Sequence, residues 1–200
     1  MSNPPATAAP DEPLLGELRA ATRPHHDRIE QLLALDAPMA LPRYSAIIGG
    51  FHSFLSGWEP QLRRAMPERL HGWLAERGRA AFAADDLAFL GRAVPSSAHS
   101  PDCLPEPGVA AAFGSMYVIE GSALGGQVIT SWLKRDLGLE PGRGASYFHG
   151  HGRRTGEMWR EFRLRATAEV GADPASRRAA CRAAERTFDA LIATFEPLVT

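Results

Sequence analysis

The sequence predicts an all-α protein, folded as a single-domain multi-helical bundle. Apolar residues recur at steps of three and four along several long segments, which is the spacing of one buried helix face. No segment shows a convincing run of strand-like alternation, and no hairpin signal of the Asn-Gly type occurs. The chain has 200 residues, 44% of them hydrophobic, which suits one domain with an ordinary core. We expect roughly seven helices in a bundle-like arrangement.

The first helix is expected to begin at about Leu14, after a flexible tail. Residues 1–12 are rich in Pro and Ala and lack periodicity, so the folded domain should span residues 13–200. From Leu14 an apolar face runs as far as Leu33. Pro24 removes one backbone donor, so the helix should kink or restart there.

The second helix carries the clearest apolar stripe in the chain. Pro42 suits its first turn, and Pro60 marks a further kink or an end. Two shorter helices are expected at about residues 67–77 and 85–92. Residues 93–108 contain four prolines and are expected to form a loop.

The second half of the chain is predicted to hold three long helices. Residues 109–138 look like one continuous helix with glycines inside it, followed by a Gly-rich connection over 141–152. Another helix is expected at about 155–170. Asp173 then caps the last helix, with Pro174 in its first turn. The buried face of that helix is expected to comprise Cys181, Ala184, Phe188, Leu191, Ile192 and Phe195.

Charge and cysteine content exclude several classes of protein. The 22 basic and 23 acidic residues give a net charge of −1, so no overall field favours nucleic acid, and no nucleic-acid partner is expected. Two cysteines cannot form a disulfide framework, and no signal-peptide pattern opens the chain, so a reduced cytoplasmic protein is the simplest interpretation. Residues 107–133 carry a single charge, Glu120, but are rich in Gly and Ser. We interpret them as a buried helix and expect no membrane span.

A histidine and a glutamate lie four residues apart on the first helix. His26 and Glu30 are therefore neighbours on one helix face. A metal-bound imidazole commonly donates its other ring N–H to a carboxylate, so His26 is a candidate metal ligand that Glu30 would orient. An ordinary exposed pair is the commoner explanation of this spacing.

Three glycines, Gly121, Gly125 and Gly126, interrupt the helix predicted over 109–138. In a helix interior they cost about 2.5–3 kcal/mol relative to alanines. Glycine permits another group to approach the backbone closely and permits a bend, and a flat cofactor against this helix would require both. A tight helix–helix crossing is the alternative, because Gly121 and Gly125 also have the spacing of small residues at such crossings.

A third candidate segment spans residues 147–163. His149 and His151 could chelate a metal through their i,i+2 spacing, but no third ligand is nearby. The same segment holds four arginines that could bind a carboxylate-bearing ligand or simply form a solvated face, namely Arg153, Arg154, Arg160 and Arg163.

Together these segments resemble the heme oxygenase family over most of the chain. Four residues match its LxxxTxxxHxxxE signature, namely Leu18, Thr22, His26 and Glu30. Residues 117–127 are similar to the motif of the family's distal helix, and they most resemble bacterial members, including those paired with bacteriophytochromes. Residues 147–162 look like the bacterial form of a downstream segment.

The resemblance implies roles for the matched residues. His26 would be the proximal ligand of the heme iron, and Gly121, Ser122 and Gly125 would form the catalytic distal segment. The residues that bind heme would be Arg19, His26, Glu30, Tyr117, Gly121, Gly125, Gly126 and Arg163. The two arginines in this set would lie near the heme propionates.

The resemblance also implies a reaction and its partners. Heme would be both cofactor and substrate, cleaved at a meso carbon with O₂ and external electrons to give biliverdin, CO and iron. The electrons would come from a ferredoxin, a reductase or an ascorbate-like donor. A bacteriophytochrome is one candidate recipient of the product.

One departure from the family pattern keeps alternatives open. Many members carry an aspartate directly after the first distal glycine, whereas this chain has Ser122. A hydroxyl holds a water but carries no charge, so a heme-binding or heme-trafficking protein without turnover is the main alternative. A thiaminase-like relative of the same fold, with Cys103 or Cys181 as its nucleophile, is a further one.

Overall fold

The computed structural model describes residues 13–94 and 108–199, and helices dominate both segments. The α-helices are α1 (Pro13–Leu33), α2 (Leu41–Ala65), α3 (His71–Ala75), α4 (Ala80–Phe89), α5 (Val109–Ser122), α6 (Gly126–Leu137), α7 (Ser146–His149), α8 (Thr155–Val170) and α9 (Pro174–Val199). Within these residues no strand occurs, and the β-type pairing is limited to two isolated bridges. The prediction of an all-α fold is confirmed. The predicted tail and most of the predicted Pro-rich loop lie outside the described residues.

Pro24 and Pro60 lie inside uninterrupted helices, which corrects the prediction of a restart or an end at these positions. Both prolines are exposed, while the opposite faces of α1 and α2 are buried in the core. A helix-interior proline costs about 3 kcal/mol, whereas each large apolar side chain that becomes buried contributes about 1.5–3 kcal/mol. Several such side chains on each helix therefore outweigh one missing hydrogen bond.

The start of α4 is set by another helix. It begins at Ala80 rather than at the predicted residue 85. Glu59, on α2, accepts hydrogen bonds at its Oε1 from the backbone N–H groups of Arg79 and Ala80, at 2.7 and 2.9 Å. These bonds satisfy donors that the first turn of a helix leaves unpaired. A cap supplied from a distant part of the chain has no local sequence signal.

The helix predicted over 109–138 is two helices. A 3₁₀ turn, Ala123–Gly125, separates α5 from α6. The helix predicted at 67–77 is likewise shorter, and consists of a 3₁₀ turn, Glu68–Leu70, followed by α3. The Gly-rich connection over 141–152 contains the short helix α7.

The last helix lies at the centre of the bundle, where α9 packs against α1, α2 and α5. Its start agrees with the prediction, because Oδ2 of Asp173 accepts a hydrogen bond from the backbone N–H of Ser176 at 2.9 Å, and Pro174 lies in the first turn. The predicted apolar face of α9 is buried, except that Cys181 is half-buried.

A glycine allows α5 and α9 to approach each other closely. A Cβ atom built on Gly114 would lie only 1.9 Å from the carbonyl oxygen of Ala180 on α9. Backbone atoms cannot move aside without displacing a helix, so any side chain at this position separates the two helices.

We therefore expect Gly114→Ala to destabilise the protein by about 1–3 kcal/mol or more, because the added methyl group overpacks the α5–α9 contact. Gly49→Ala on α2 is the matched control, since a Cβ there meets no atom within 4 Å. This control should stabilise the protein by about 0.5–1 kcal/mol through helix propensity. Urea unfolding of the two variants measures both effects, and equal stabilities would contradict the observed packing.

Candidate functional site

The segment from Gly121 to Gly126, here called the glycine turn, breaks the helical path between α5 and α6. The end of α5 is tightened by Ser122, whose Oγ donates to the carbonyl oxygen of Ile119 at 2.8 Å. Serine hydroxyls that bond to nearby backbone compete with regular helix. A 3₁₀ stretch between two helical segments often marks a functional position, so this turn is the first candidate for a binding wall.

The three glycines of the glycine turn have different surroundings. A Cβ atom at Gly125 would meet no atom within 4 Å, and one at Gly121 would meet only Cη2 of Trp159, at 4.0 Å. A Cβ at Gly126 would lie 2.0 Å from the carbonyl oxygen of Phe148 on α7. Gly121 and Gly125 therefore leave open space beside the main chain. Gly126 permits a close contact between α6 and α7, and its contact with heme, which the family resemblance implied, stays a prediction.

Two large apolar side chains are exposed beside the open glycines. Leu124 is 48% exposed and Val128 is 52% exposed. With Gly121 and Gly125 they recur at steps of three and four, so the four residues share one face. Leu124 and Val128 thus offer apolar surface beside bare main chain, which a flat ligand could cover.

On α1, the imidazole of His26 is accessible to a ligand. Its side chain is 53% exposed, and Nδ1 lies 3.5 Å from Oε2 of Glu30. The ring edge faces Phe188 of α9, with 6.1 Å between the ring centroids. With Nδ1 directed at a carboxylate, Nε2 is the nitrogen that remains for a metal. Asp27 lies close enough to complete a cluster with these two residues, but all three are exposed, as ordinary surface acids are.

The neighbouring histidine is directed into the protein instead. His25 stacks on Phe188 at a centroid distance of 6.3 Å, and its Nε2 lies 3.4 Å from Oδ1 of Asp189. Its Nδ1 is buried without a hydrogen-bond partner. The two adjacent histidines therefore differ in direction, and His26 is the one on the accessible side of α1.

Tyr117 of α5 lies beside Arg19 and Thr22 of α1. Burial raises the pKa of its phenol, and the interactions with these two side chains offset part of the rise. Thr22 precedes His26 by one helical turn, and Tyr117 precedes Gly121 by one turn. Tyr117 thus links the part of α1 that carries the imidazole to the part of α5 that carries the open glycine, while both helices pack mainly against α9.

Aromatic and basic residues of α8 lie behind this contact. Trp159 lies 6.0 Å from Tyr117 and stacks on Phe162 at 5.4 Å, measured between ring centroids. Arg163 is partly exposed, but its Nε is buried without a hydrogen-bond partner. Together with the exposed Arg19 on α1, it is a cation available for an acidic group.

Sequence reasoning missed two buried arginines behind the glycine turn, Arg77 and Arg79. The guanidinium of Arg77 donates to Oε2 of Glu120 and to Oε2 of Glu161, both at 2.9 Å. Burial raises the pKa of the Glu120 carboxyl, and the charges of Arg77 and Arg79 counteract that rise. The segment around these arginines shows no motif, so nothing in the local sequence marks them.

Arg79 reaches both sides of the glycine turn. Its Nη1 donates to the carbonyl oxygen of Ile119 at 3.3 Å and to Oγ of Ser122 at 3.4 Å. Its Nη2 donates to the carbonyl oxygen of Tyr147 at 2.9 Å, and its guanidinium lies 4.5 Å from the centre of that ring. The arginine thus joins the end of α5 to α7.

A cavity of about 490 Å³ lies on another face of α5, between that helix, α2 and α3. Its lining includes Met116, Glu120 and Arg77, but neither His26 nor any residue of the glycine turn. Its size alone would suit a small ligand. The open glycines and the accessible imidazole, however, lie outside it, so we place the candidate site between α1 and the glycine turn.

The other candidate metal ligands and nucleophiles from the sequence have less support in the structure. Burial, together with Arg79 and Arg154, lowers the pKa of His151, and no group of three metal-binding side chains within the described residues includes His151 or His149. Burial and nearby acids raise the pKa of the Cys181 thiol, which disfavours a nucleophilic thiolate. Cys103, the other cysteine considered, lies outside the described residues.

Comparison with known proteins identifies the family and the fold. A sequence model of the heme oxygenase family matches residues 12–197. The chain belongs to the heme oxygenase family. A heme oxygenase from Xanthomonas campestris pv. campestris (strain 8004) is 35% identical over 97 residues, which cover 48% of this chain and 56% of that relative. The match therefore spans little more than half of the length of the relative.

Three solved heme oxygenase structures have the same fold. The NO- and CO-bound heme oxygenase from Neisseria meningitidis aligns with a TM-score of 0.70 at 23% identity, over 92% of this chain and 93% of that one. Heme oxygenase from Leptospira interrogans aligns with a TM-score of 0.72 at 17% identity, over 92% of this chain and 99% of that one. Heme oxygenase 2 from Chlamydomonas reinhardtii, solved without heme, aligns with a TM-score of 0.72 at 18% identity, over 94% of this chain and 98% of that one. Among the described residues of this family member, no helix combines the length and apolar character needed to cross a membrane.

Because their surroundings differ, Gly125 should tolerate an added side chain and Gly126 should not. Gly126→Ala should destabilise the protein by about 1–3 kcal/mol, because its methyl group collides with the backbone of α7. Gly125→Ala, the matched control, should stay within about 0.5 kcal/mol of wild type, because it points into open space. Thermal and urea unfolding of the heme-free variants would measure both, and a stable Gly126→Ala protein would refute the packing role.

Proposed function

We propose that this protein acts as a heme oxygenase, which cleaves heme at a meso carbon to biliverdin, CO and iron with O₂ and external electrons. One observation carries the proposal: Tyr117 links the part of α1 that carries the accessible imidazole of His26 to the part of α5 that leads into the bare main chain of the glycine turn. A flat ligand between these two parts would have a metal ligand on one side and backbone on the other.

The residues on the α1 side fit an iron porphyrin. His26 would ligate the iron through Nε2, because Nδ1 is already directed at Glu30. That carboxylate would fix the orientation of the imidazole and increase its basicity. Neutral imidazole donates less electron density to the iron than a thiolate does, which suits a protein that must not cleave the O–O bond early.

The residues on the α5–α6 side fit the opposite face of the porphyrin. Gly121 and Gly125 would let the main chain approach the ring, while Leu124 and Val128 would cover apolar surface that is now exposed. Arg19 and Arg163, whose Nε has no hydrogen-bond partner, would attract the two propionates, and Tyr117 would lie beside the heme. Gly126 would support this wall through its close contact with α7.

Bound heme would supply both the oxygen-activating iron and the carbon that is oxidised. The chain would supply position. Ser122 would order water through its hydroxyl, which is held by Ile119 and Arg79. Glu120 lies next to the first open glycine, but its pairing with Arg77 keeps this carboxylate directed away from the slot. The wall facing the oxygen would therefore lack a strong acid–base pair.

The cellular setting follows as part of the same proposal. A cytoplasmic ferredoxin, reductase or ascorbate-like donor would deliver the electrons. A bacteriophytochrome would be a recipient for the biliverdin. The composition of the chain, with a net charge of −1 and two cysteines, is compatible with a reduced compartment.

A second candidate function is heme binding or trafficking without turnover. Ser122 favours it, because this hydroxyl replaces the carboxylate that many family members use to anchor water. The hydroxyl donates to Ile119 and lies 3.4 Å from the guanidinium of Arg79, so it has limited capacity left for proton delivery.

We expect one equivalent of hemin to give an intense Soret band with wild-type protein. His26→Ala should lose this band or bind hemin at least about tenfold more weakly, because the iron loses its protein ligand. Exogenous imidazole should restore the band. His25→Ala is the matched control and should keep it, since His25 is directed at α9. An unchanged titration of His26→Ala would refute the proposed ligand.

Turnover separates the two candidate functions. Hemin-loaded protein given ascorbate and O₂, with catalase present to remove free peroxide, should lose its Soret band and gain the broad visible absorption of biliverdin. The same sample without reductant should stay unchanged. A Soret band that persists under reducing, aerobic conditions would contradict the enzymatic proposal and favour the trafficking one.

A further inference from the structure

Arg79 is a buried cation to which the reaction proposed above assigns no direct contact with heme. Arg77 and Arg79 are both buried, with 6% and 5% of their surface exposed, but they have different partners. Arg77 is neutralised directly by Glu120 and Glu161. Arg79 has three uncharged acceptors on two other elements, and its Nε is buried with no hydrogen-bond partner. A buried cation with such partners costs free energy that a specific role would offset.

The acceptors of Arg79 lie where the helix is broken. In a continuous α-helix the carbonyl of Ile119 would accept the N–H of residue 123. Here the N–H of Ala123 is directed at the carbonyl of Gly121 instead. The carbonyl of Ile119 accepts from the hydroxyl of Ser122 and from Arg79. Arg79 thus satisfies a carbonyl that the break exposes.

The hydrogen bond from Arg79 to Tyr147 connects the glycine turn to α7. Through the carbonyl oxygen of Tyr147, Arg79 holds the start of α7 beside the end of α5. The start of α7 is itself anchored, because Asp86 accepts hydrogen bonds from the backbone N–H groups of Ser146 and Tyr147 at 2.7 and 2.8 Å. The glycine turn therefore rests, through one guanidinium, on a rigid part of the fold.

We propose that Arg79 is a positioning residue for heme: it holds the glycine turn in its broken conformation before heme arrives, acting through Ile119 and Ser122. The inference rests on the proposed function, since it concerns the wall that would face the porphyrin. Without Arg79 the carbonyl of Ile119 would keep only the hydrogen bond from Ser122. The turn would then re-form regular helix or fluctuate. Binding would then have to order the turn, and affinity would fall by that cost.

The test combines amide hydrogen exchange with hemin titration. Arg79→Gln removes the charge and two of the donors, Arg79→Lys keeps the charge, and Ser122→Ala removes one acceptor. Arg69→Gln is the control, because Arg69 pairs with Glu169 at the surface, away from the turn. Exchange is followed in the heme-free proteins for residues 117–127, with α2 and α9 as internal references.

In Arg79→Gln we expect exchange in residues 117–127 to rise roughly tenfold or more, with α2 and α9 unchanged, because a charged hydrogen bond is lost locally. Hemin should bind several-fold more weakly, and bound hemin should restore the protection of the turn. Arg79→Lys and Ser122→Ala should show smaller effects in the same direction. Arg69→Gln should match wild type in both measurements.

Other results would overturn the assignment of Arg79. Exchange that rises equally in all helices would show general destabilisation, and local exchange with unchanged hemin affinity would show a purely structural role. If Arg79→Gln does not fold, an Arg79→Lys protein with wild-type exchange and affinity would be equally decisive. If wild type itself binds no hemin, the proposed function fails. If wild type and Arg79→Gln bind hemin equally well, only the role of Arg79 fails.

Discussion

The structure depends on keeping a broken helix in place while leaving one side of its main chain bare. Close approach to a flat ligand requires positions without side chains, and Gly121 and Gly125 provide them. The same absence of side chains weakens the helix, so the turn must be supported from its other side. Gly126 against α7 and the hydrogen bonds of Arg79 provide that support. One short segment thus combines an open face with a tightly packed one.

Buried charge is concentrated on the supported side of the turn. Arg77, Glu120 and Glu161 form a connected group in which each charge has an opposite partner. Within it Arg77 and Glu120 form a buried pair, and removing one member of such a pair typically costs about 3–5 kcal/mol. The arrangement keeps a carboxylate next to the glycine turn without directing it into the slot. It also leaves Ser122 as the polar side chain of the turn nearest to Gly121.

The sequence was sufficient for the fold class and for the start of α9, and it supplied the two residue patterns on which the candidate site is proposed. Those features are local: an apolar stripe, a capping Asp173 and the spacing of His26 from Glu30 can each be read within a few residues. Two of the errors have tertiary causes. Helix α4 is capped by Glu59 of α2, and Pro60 is tolerated because the rest of α2 is buried. The role of Arg79 depends on three carbonyl or hydroxyl oxygens from distant segments, and no periodicity encodes such a convergence.

The opposite wall depends on how α1 is held. His25 packs against α9, so the adjacent His26 is turned toward the accessible side, and Tyr117 ties that side to α5. A crystal structure of the protein with bound ferric heme would test this account most directly. It predicts the iron bonded to Nε2 of His26, with the other porphyrin face against the main chain of Gly121 and Gly125. Iron bonded to another residue, or a porphyrin seated in the cavity beside α2, would contradict it.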